Sequence, residues 1–409
     1  MSLNALYVDF NSYFASVEQQ LVPELRGKPI GVLAVMAETT CCIAASYEAK
    51  AFGIKTGTLV KDARQLCPDI IFVEARPPIY VAIHHQLIEI VENCTHVEKV
   101  LSIDEMVCKL TGSQQVPENA LKLATKIKRA ISKKFDFIRC SIGIAPNTFL
   151  AKTASNMQKP DGCVLIEQHE LPQRLYGLKL RDLNGIGKQM EARLNRFKIT
   201  TVEQLYAANR SQLQAAWGSI EGERYYDKLR GLEPYYVKNA RSSLGHSHVM
   251  PPEQRTEAGA KAVMHRLLQK ACMRMRSYEL LASHISVKVK FRDAPSWKME
   301  SDISATDNTL TLIHALETFW RRYPTKIKHE PFAVGVAFSG LKTADEVARD
   351  LFQIEPLENE KKLNKAIDAL NLKYGKNTIY FAGAHEALKD APMRIAFNHI
   401  PDLVVEGDE

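Results

Sequence analysis

The sequence has no apolar run near the roughly 20 residues that a membrane-spanning helix needs, and no signal peptide is visible. Its eight cysteines contain no C-x-x-C motif, so neither a zinc site nor a disulfide framework is indicated. The sequence is also not poor in apolar residues, which form 45% of the chain, whereas charged residues form 25%. This composition argues against disorder. We therefore expect a cytoplasmic protein with reduced, buried thiols and no membrane partner.

The charge is unevenly distributed along the 409 residues, which are too many for one core and predict three or four domains. Residues 241–343 contain 16 basic and 9 acidic residues, whereas residues 344–409 contain 8 basic and 13 acidic ones. The basic stretch predicts binding to a polyanion, and the acidic tail predicts contact with a partner. Solvated faces would explain the same charges, so charge alone does not decide the function.

Strand and helix patterns alternate in the first part of the chain. A buried strand is predicted at 5–10, a helix at 13–21 and another strand at 138–145, with a region rich in Pro and Gly between 23 and 78. This alternation predicts an α/β sheet layered with helices. A further helix is expected near 119–135, with one buried face formed by Leu121, Ala124, Ile127, Ile131 and Phe135.

Three carboxylates stand at the ends of predicted strands. Asp9 ends the first strand, and the segment "LSIDEM" places Asp104 and Glu105 at the end or turn of another. If these strands are neighbours, the carboxylates converge and repel one another unless a cation is present. Mg²⁺ prefers such oxygen ligands, and two ions about 3.5–4 Å apart bind both the attacking and the leaving oxygen of a phosphoryl transfer. An ordinary strand end with exposed acids is the alternative for this pair alone.

Four segments in order decide against that alternative: "VDFNSYFASVE", "AASYEAKAFGIKTG", "LSIDEM" and "SIGIAPNTFLAKTASNMQKPDG". With this order and spacing, residues from about 4 to 343 resemble the Y-family translesion DNA polymerases, particularly the bacterial UmuC-type and DinB-type enzymes. The resemblance implies a multidomain α/β right-hand polymerase. Its parts would be a palm at 1–21 and 79–165, fingers at 22–78, a thumb with a helix-hairpin-helix at 166–235, a little finger at 241–343 and a tail at 344–409.

The same resemblance implies roles for residues of the first 165 positions. Asp9, Asp104 and Glu105 would be catalytic and bind two Mg²⁺ ions, with the carbonyl of Phe10 completing one site. Phe14 would be a steric gate, an aromatic ring placed where a ribose 2′-hydroxyl would lie; a core aromatic on a helix is the plainer alternative. Tyr47, Lys50 and Lys159 match positions that hold the nucleotide triphosphate. Met106 departs from the family, whose members often have a small residue or an aromatic there.

Two segments are expected to bind DNA. In "LNGIGK", Gly185, Gly187 and Lys188 lie in a helix-hairpin-helix pattern that lets backbone N–H groups approach a phosphate; an αα-corner is the alternative. In "SHISVKVKFRD", the outward residues include Lys288, Lys290 and Arg292, whose cations match a row of phosphates. A solvated edge strand guarded by lysines is the competing interpretation of this second segment.

The tail contains "ARDLFQ", in which Asp350, Leu351 and Phe352 resemble the peptide by which bacterial polymerases bind a sliding clamp. A helix end with core leucine and phenylalanine is the alternative. Together these features predict a low-fidelity, template-directed DNA polymerase that copies damaged templates, with primer-template DNA, deoxynucleoside triphosphates and a clamp as partners. A non-catalytic scaffold in a damage-response complex is the alternative, but a scaffold needs no carboxylate set. A nuclease or nucleotide cyclase with a similar palm is disfavoured by the hairpin and the basic stretch.

Overall fold

The computed structural model describes residues 2–235, 241–324, 329–347, 354–390, 395 and 400–403, with only the backbone described for 354–358. The chain forms two compact units. The first contains the described residues 2–235 together with Ile400, and the second contains the other described residues from 241 onwards. All eight cysteines are free. Five are buried, as expected (Cys42, Cys67, Cys108, Cys140 and Cys272), whereas Cys41, Cys94 and Cys163 are only half-buried.

The first unit is built on a five-stranded sheet. The strands of this unit are β1 (Ala5–Phe10), β2 (Ile30–Leu33), β3 (Cys42–Ala45), β4 (Ile71–Glu74), β5 (Val97–Ser102), β6 (Glu105–Lys109), β7 (Cys140–Ala145) and β8 (Cys163–Leu165). The order in the large sheet is β5-β6-β1-β7-β8, so β1 lies at its centre. All six residues of β1 are buried, as its apolar sequence predicts. A smaller sheet, β3-β2-β4, forms in the region rich in Pro and Gly.

Helices alternate with these strands, which confirms the predicted α/β architecture. They are α1 (Tyr13–Leu21), α2 (Tyr47–Ala51), α3 (Val60–Leu66), α4 (Pro77–Glu92), α5 (Pro117–Lys134), α6 (Thr148–Met157), α7 (Gln173–Tyr176), α8 (Lys188–Arg196), α9 (Val202–Ala207), α10 (Arg210–Trp217) and α11 (Glu221–Leu229). The predicted first strand and first helix match β1 and α1 residue for residue. Helix α6 packs tightly on β7, because a Cβ on Gly143 would lie 1.9 Å from the carbonyl oxygen of Ala151.

The prediction for the buried face of α5 is wrong at one residue. Leu121 is 41% exposed, whereas Leu123 is 9% exposed and packs inward. The buried face also includes Ala120, Ala124, Ile127 and Ile131, so its centre lies roughly a quarter turn away from Leu121. The other four predicted residues are buried.

The helical region from α7 to α11 differs from the prediction at its start. The sequence pattern predicted a helix before the tight turn at Gly185, but the structure has only a short 3-10 turn, Leu180–Asp182. The helix after the turn is present as α8. A three-residue turn forms fewer backbone hydrogen bonds than a helix. This part of the hairpin is instead anchored by three buried side chains, those of Leu180, Leu183 and Ile186.

The second unit is an antiparallel sheet backed by helices. Its elements are β9 (Ser243–Val249), α12 (Glu257–Ser277), β10 (Leu280–Phe291), β11 (Trp297–Thr306), α13 (Thr309–Trp320), β12 (Pro331–Thr343) and α14 (Ile354–Tyr374). The sheet order is β11-β10-β12-β9. Strand β10 is therefore an inner strand, and the interpretation of its lysines as guards of a sheet edge is wrong. Its alternate residues Ile285, Val287, Val289 and Phe291 are buried, as predicted.

Part of the tail packs against helix α12 within the second unit. Asp368 of α14 forms two hydrogen bonds with the Arg276 guanidinium, at 2.6 and 2.8 Å, and the backbone N–H of Phe381 donates to Gln269 at 3.0 Å. At least part of the acidic tail thus contacts its own chain. The proposed clamp residues Asp350, Leu351 and Phe352 lie outside the described residues. Within the described ranges, no helix combines the length and the apolar character needed to cross a bilayer.

Candidate active site

Strand pairing brings the predicted carboxylates to one end of the large sheet. Asp9 pairs with Glu105 in the antiparallel register of β1 and β6, and Asp104 lies in the tight turn between β5 and β6. The backbone N–H of Phe10 donates to the carbonyl of Asp104 at 2.8 Å, which attaches this turn to the end of β1. The strands are therefore neighbours, which is the condition on which the convergence of the carboxylates depended.

The Asp9 carboxylate is buried and lies close to two other carboxylates, both of which disfavour its charged form. It is 5% exposed, and this burial raises its pKa to about 6, with a further increase from the charges of Asp104 and Glu105. The ammonium of Lys159 lies 2.6 Å from Asp9 Oδ2 and opposes this increase, because its positive charge lowers the pKa of Asp9. Burial also raises the pKa of Asp104, although the hydroxyl of Ser102 donates to its Oδ1 at 2.6 Å and favours the charged form.

Glu105 has a cationic partner that the sequence analysis did not select. Lys152 Nζ lies 2.8 Å from Glu105 Oε1 and 2.9 Å from Oε2, and 5.5 Å from the ring centroid of Tyr7. Lys152 belongs to α6, the helix that packs on β7 next to β1. Its position inside one of the four quoted segments was a signal, but a single lysine on a helix is more often solvated than functional.

The donor set suits a hard divalent cation, although the side chains are not arranged around one. Among the residues that the structure describes, no group of three or more His, Cys, Asp or Glu side chains is placed to hold a metal ion. The carboxylates of Asp9 and Glu105 are instead paired with Lys159 and Lys152. Carboxylate and carbonyl oxygens are nevertheless the ligands that Mg²⁺ prefers, and three crowded carboxylates favour a bound cation.

The predicted triphosphate residues lie together beside Asp9. Lys50 Nζ is 4.5 Å from the ring centroid of Tyr47 and donates to Ser12 Oγ at 2.7 Å. Burial raises the pKa of Tyr47 to about 12, and the Asp9 charge contributes to this increase, so its phenol stays protonated at neutral pH. Burial lowers the pKa of Lys50, and the charge of Lys159 lowers it further. A small cationic and hydroxyl-bearing surface therefore adjoins the carboxylates.

The ring of Phe14 is neither exposed nor part of a closed core. It is half-buried on α1 and stacks on Tyr80 of α4, with centroids 4.5 Å apart and planes 16° from parallel. One side of the ring is therefore supported while the residue retains exposure, which a core aromatic would lack.

The predicted DNA-binding residues lie on exposed surfaces of the two units. Gly185 has φ +88°, a left-handed conformation that favours glycine, and Gly187 caps the start of α8, where Lys188 is exposed. In the second unit, Lys288, Lys290 and Arg292 are exposed. Lys288 is paired across the sheet with Gly335, and the neighbouring Ser286 with Ala337, so small residues adjoin this basic row on β12.

Three regions match known families. Residues 8–156 match the impB/mucB/samB family, residues 241–351 match the C-terminal domain of that family, and residues 181–233 match the thumb domain of DNA polymerase-iota. The three matches follow one another in the order of the sequence segments described above.

Relatives and solved structures agree with these matches. A DNA polymerase IV of Moorella thermoacetica is 30% identical over 92% of this chain and 95% of its own length, and DNA polymerase IV 1 of Bacillus subtilis is 28% identical over 91% of each. A chimera of the Y-family DNA polymerases Dbh and Dpo4 has a TM-score of 0.69 at 25% identity, covering 83% of this chain and 99% of its own. DinB from Sulfolobus solfataricus has a TM-score of 0.53 at 26% identity, covering 82% of this chain and 98% of its own.

Proposed function

Because this chain belongs to the DinB-type Y-family of translesion DNA polymerases, which are DNA-directed DNA polymerases, we propose that it extends primers across damaged template bases from the carboxylates at the end of β1. The observation that supports this most directly is the register of Asp9 with Glu105, with Asp104 hydrogen-bonded to the neighbouring backbone. A non-catalytic scaffold gives no reason for three carboxylates to be crowded together against their mutual repulsion.

The direct test is primer extension on a template with one abasic site. We expect the purified protein, with Mg²⁺ and deoxynucleoside triphosphates, to produce full-length product from both the damaged and the intact template. Synthesis that stops at the abasic site while the intact template is copied would contradict damage bypass. No synthesis on either template would contradict the assigned site as well.

We assign the metal-binding role to Asp9, Asp104, Glu105 and the carbonyl of Phe10. Bound there, Mg²⁺ would supply charge stabilisation for the attacking and leaving oxygens of nucleotidyl transfer. The chain itself supplies the geometry, because β-sheet pairing holds Asp9 and Glu105 opposite each other. Lys159 and Lys152 neutralise these carboxylates in the described structure, and a bound cation would compete with their ammonium groups for the same oxygens.

We assign the triphosphate to Tyr47, Lys50 and Lys159. Cations and a protonated phenol stabilise the negative charge that gathers on the leaving pyrophosphate. Lys159 has a flexible four-carbon stem, so its ammonium can exchange the Asp9 carboxylate for a phosphate. Phe14 is assigned the steric gate on the nearby helix α1, with deoxynucleoside triphosphates as the substrates that it admits.

The remaining regions are assigned to DNA and to a partner. We propose the parts named in the sequence analysis: palm at 1–21 and 79–165, fingers at 22–78, thumb at 166–235 and little finger at 241–343. The N–H groups at the start of α8, beside Gly185, Gly187 and Lys188, suit a phosphate. Sequence resemblance alone supports clamp binding by Asp350, Leu351 and Phe352. A cytoplasmic location is proposed because the polymerase relatives named above include bacterial enzymes.

DNA affinity is expected to depend on the basic row of β10. Replacing Lys288, Lys290 and Arg292 together by glutamine should reduce the slope of log affinity against log salt by roughly 2.7, since each lost duplex phosphate contact removes about 0.9. Fluorescence anisotropy with a labelled primer-template at several salt concentrations measures this slope.

The matched control removes the same charge elsewhere in the second unit. Lys361, Lys362 and Lys365 are exposed on α14, and their triple glutamine variant should keep the slope of the unchanged protein. Equal slopes for both triple variants would show that the row on β10 is a solvated surface and does not follow the phosphates.

A further inference from the structure

The ring that supports Phe14 is itself fully buried. Tyr80 is 0% exposed, and its ring lies against Phe14 in a stacked pair 4.5 Å apart. The hydroxyl of Tyr13 donates to the backbone carbonyl of Tyr80 at 2.7 Å, which ties α1 to α4 at the same level. Because stacked rings restrict each other, the position of Tyr80 limits the position of Phe14.

The far end of Tyr80 is anchored by a buried carboxylate. Its hydroxyl donates to Glu18 Oε1 at 2.7 Å, and Glu18 is 2% exposed although it carries a charge. Glu18 lies one turn after Phe14 on α1, so the same helix carries both the ring and the anchor.

Arg76 completes this arrangement. Its Nε donates to Glu18 Oε1 at 3.1 Å, and Nη2 contacts Glu18 Oε2, which makes a bidentate pair at the start of α4. A buried carboxylate needs such a partner, since an unpaired charge in this position would be strongly destabilising. The hydrogen bonds from Arg76 and Tyr80 converge on a single carboxylate.

We propose that Glu18, Arg76 and the hydroxyl of Tyr80 are positioning residues for sugar discrimination. They fix the Tyr80 ring, and through stacking they hold Phe14 where it excludes a ribose 2′-hydroxyl. Exclusion by contact depends on the ring staying in place, because a displacement of about one ångström changes rates at a site built on such contacts by roughly a hundredfold. This inference rests on the proposed role of Phe14 as a steric gate.

A purely structural role for these three residues predicts something different. If they only join α1 to α4, their loss lowers stability and slows the incorporation of both sugars to the same extent. If they position the gate, the efficiency for ribonucleotides rises relative to that for the matching deoxynucleotides. The ratio of the two kcat/KM values therefore separates the two roles.

The test uses Tyr80→Phe, which keeps the stacked ring and removes only its hydroxyl, and Arg76→Lys, which keeps the charge and removes the bidentate geometry. We expect each variant to raise the ribo-to-deoxy ratio by roughly tenfold, the effect of losing one hydrogen bond to a charged group. The Arg76 side chain is 40% exposed, so its variant provides the answer should Tyr80→Phe fail to fold.

Two controls complete the test. Thr95→Val removes a hydroxyl of similar burial, which accepts from Gln114 at 3.2 Å at a distance from the gate, and should leave the ratio unchanged. In a Phe14→Ala background, Tyr80→Phe should add nothing further to the ratio. An unchanged ratio in folded Tyr80→Phe and Arg76→Lys, or an increase that persists without Phe14, would overturn the inference. No change with Phe14→Ala alone would instead refute the gate itself.

Discussion

Replacing Asp104 and Glu105 together by alanine is expected to lower nucleotide incorporation at least about a thousandfold while leaving DNA affinity nearly unchanged. A metal bound by these carboxylates would stabilise transition-state charge by several kcal/mol. Removing the two ligands removes that stabilisation, and the reaction slows accordingly. Affinity for DNA comes mainly from phosphate contacts, and those assigned here lie on α8 and β10. Single-nucleotide incorporation and anisotropy on the same primer-template measure the two effects.

The fold of this double variant should survive. Asp104 and Glu105 raise the pKa of the buried Asp9, so their removal relieves repulsion, while Lys152 loses one partner but is not deeply buried. We therefore expect a thermal unfolding midpoint close to that of the unchanged protein. Glu98→Ala, at an exposed position of the same hairpin, is the matched control and should incorporate normally. Near-normal synthesis by the double variant would refute the metal assignment.

The second large effect is expected at Phe14. Phe14→Ala should raise the kcat/KM for ribonucleotides relative to deoxynucleotides by roughly a hundredfold, about 2.7 kcal/mol, because the ring that excludes the 2′-hydroxyl is gone. Incorporation of each nucleotide opposite the same template base gives the ratio directly. A variant that loses activity for both sugars equally would indicate that Phe14 only supports the packing of α1.

A partly exposed aromatic far from the gate provides the comparison. Tyr176 on α7 is 38% exposed, so Tyr176→Ala removes a more exposed aromatic ring from the same unit. Its ribo-to-deoxy ratio should equal that of the unchanged protein. Equal increases in both variants would mean that the ratio responds to a general loosening of the unit and not to the gate.

Local patterns predicted the sheet and its carboxylates well because they depend on neighbouring residues. The apolar run ending in Asp9 specifies a buried strand, and the helical spacing after Tyr13 specifies α1. Alternation in β10 correctly separated buried Val287 and Val289 from exposed Lys288. The limit of such patterns shows in α5, where Leu121 was predicted to be buried but Leu123 is the leucine that packs inward. A shift of the buried face by a fraction of a turn is enough to change which residue is buried.

Features that depend on distant polar partners were not predictable. Strand β10 was open to interpretation as an edge until β11 was seen beside it, because strand order is a property of the whole sheet. Lys152 was missed because a single lysine on a helix is usually solvated, and the sequence does not show that it lies beside Glu105. The packing of Asp368 on Arg276 was missed for a related reason: a partly buried ion pair leaves no apolar periodicity to detect.

The central place of β1 has a consequence for how the chain must fold during synthesis. Ala5–Phe10 is synthesised before both of its neighbours in the sheet, β6 and β7, which end at Lys109 and Ala145. Both edges of this apolar strand lack their native partners until β6 has left the ribosome, and one edge lacks its partner until β7 has followed. Contacts so distant along the chain form slowly, and unpaired apolar edges are the surfaces that associate with other chains. The strand that bears Asp9 is thus open to association with other chains until the sheet closes around it.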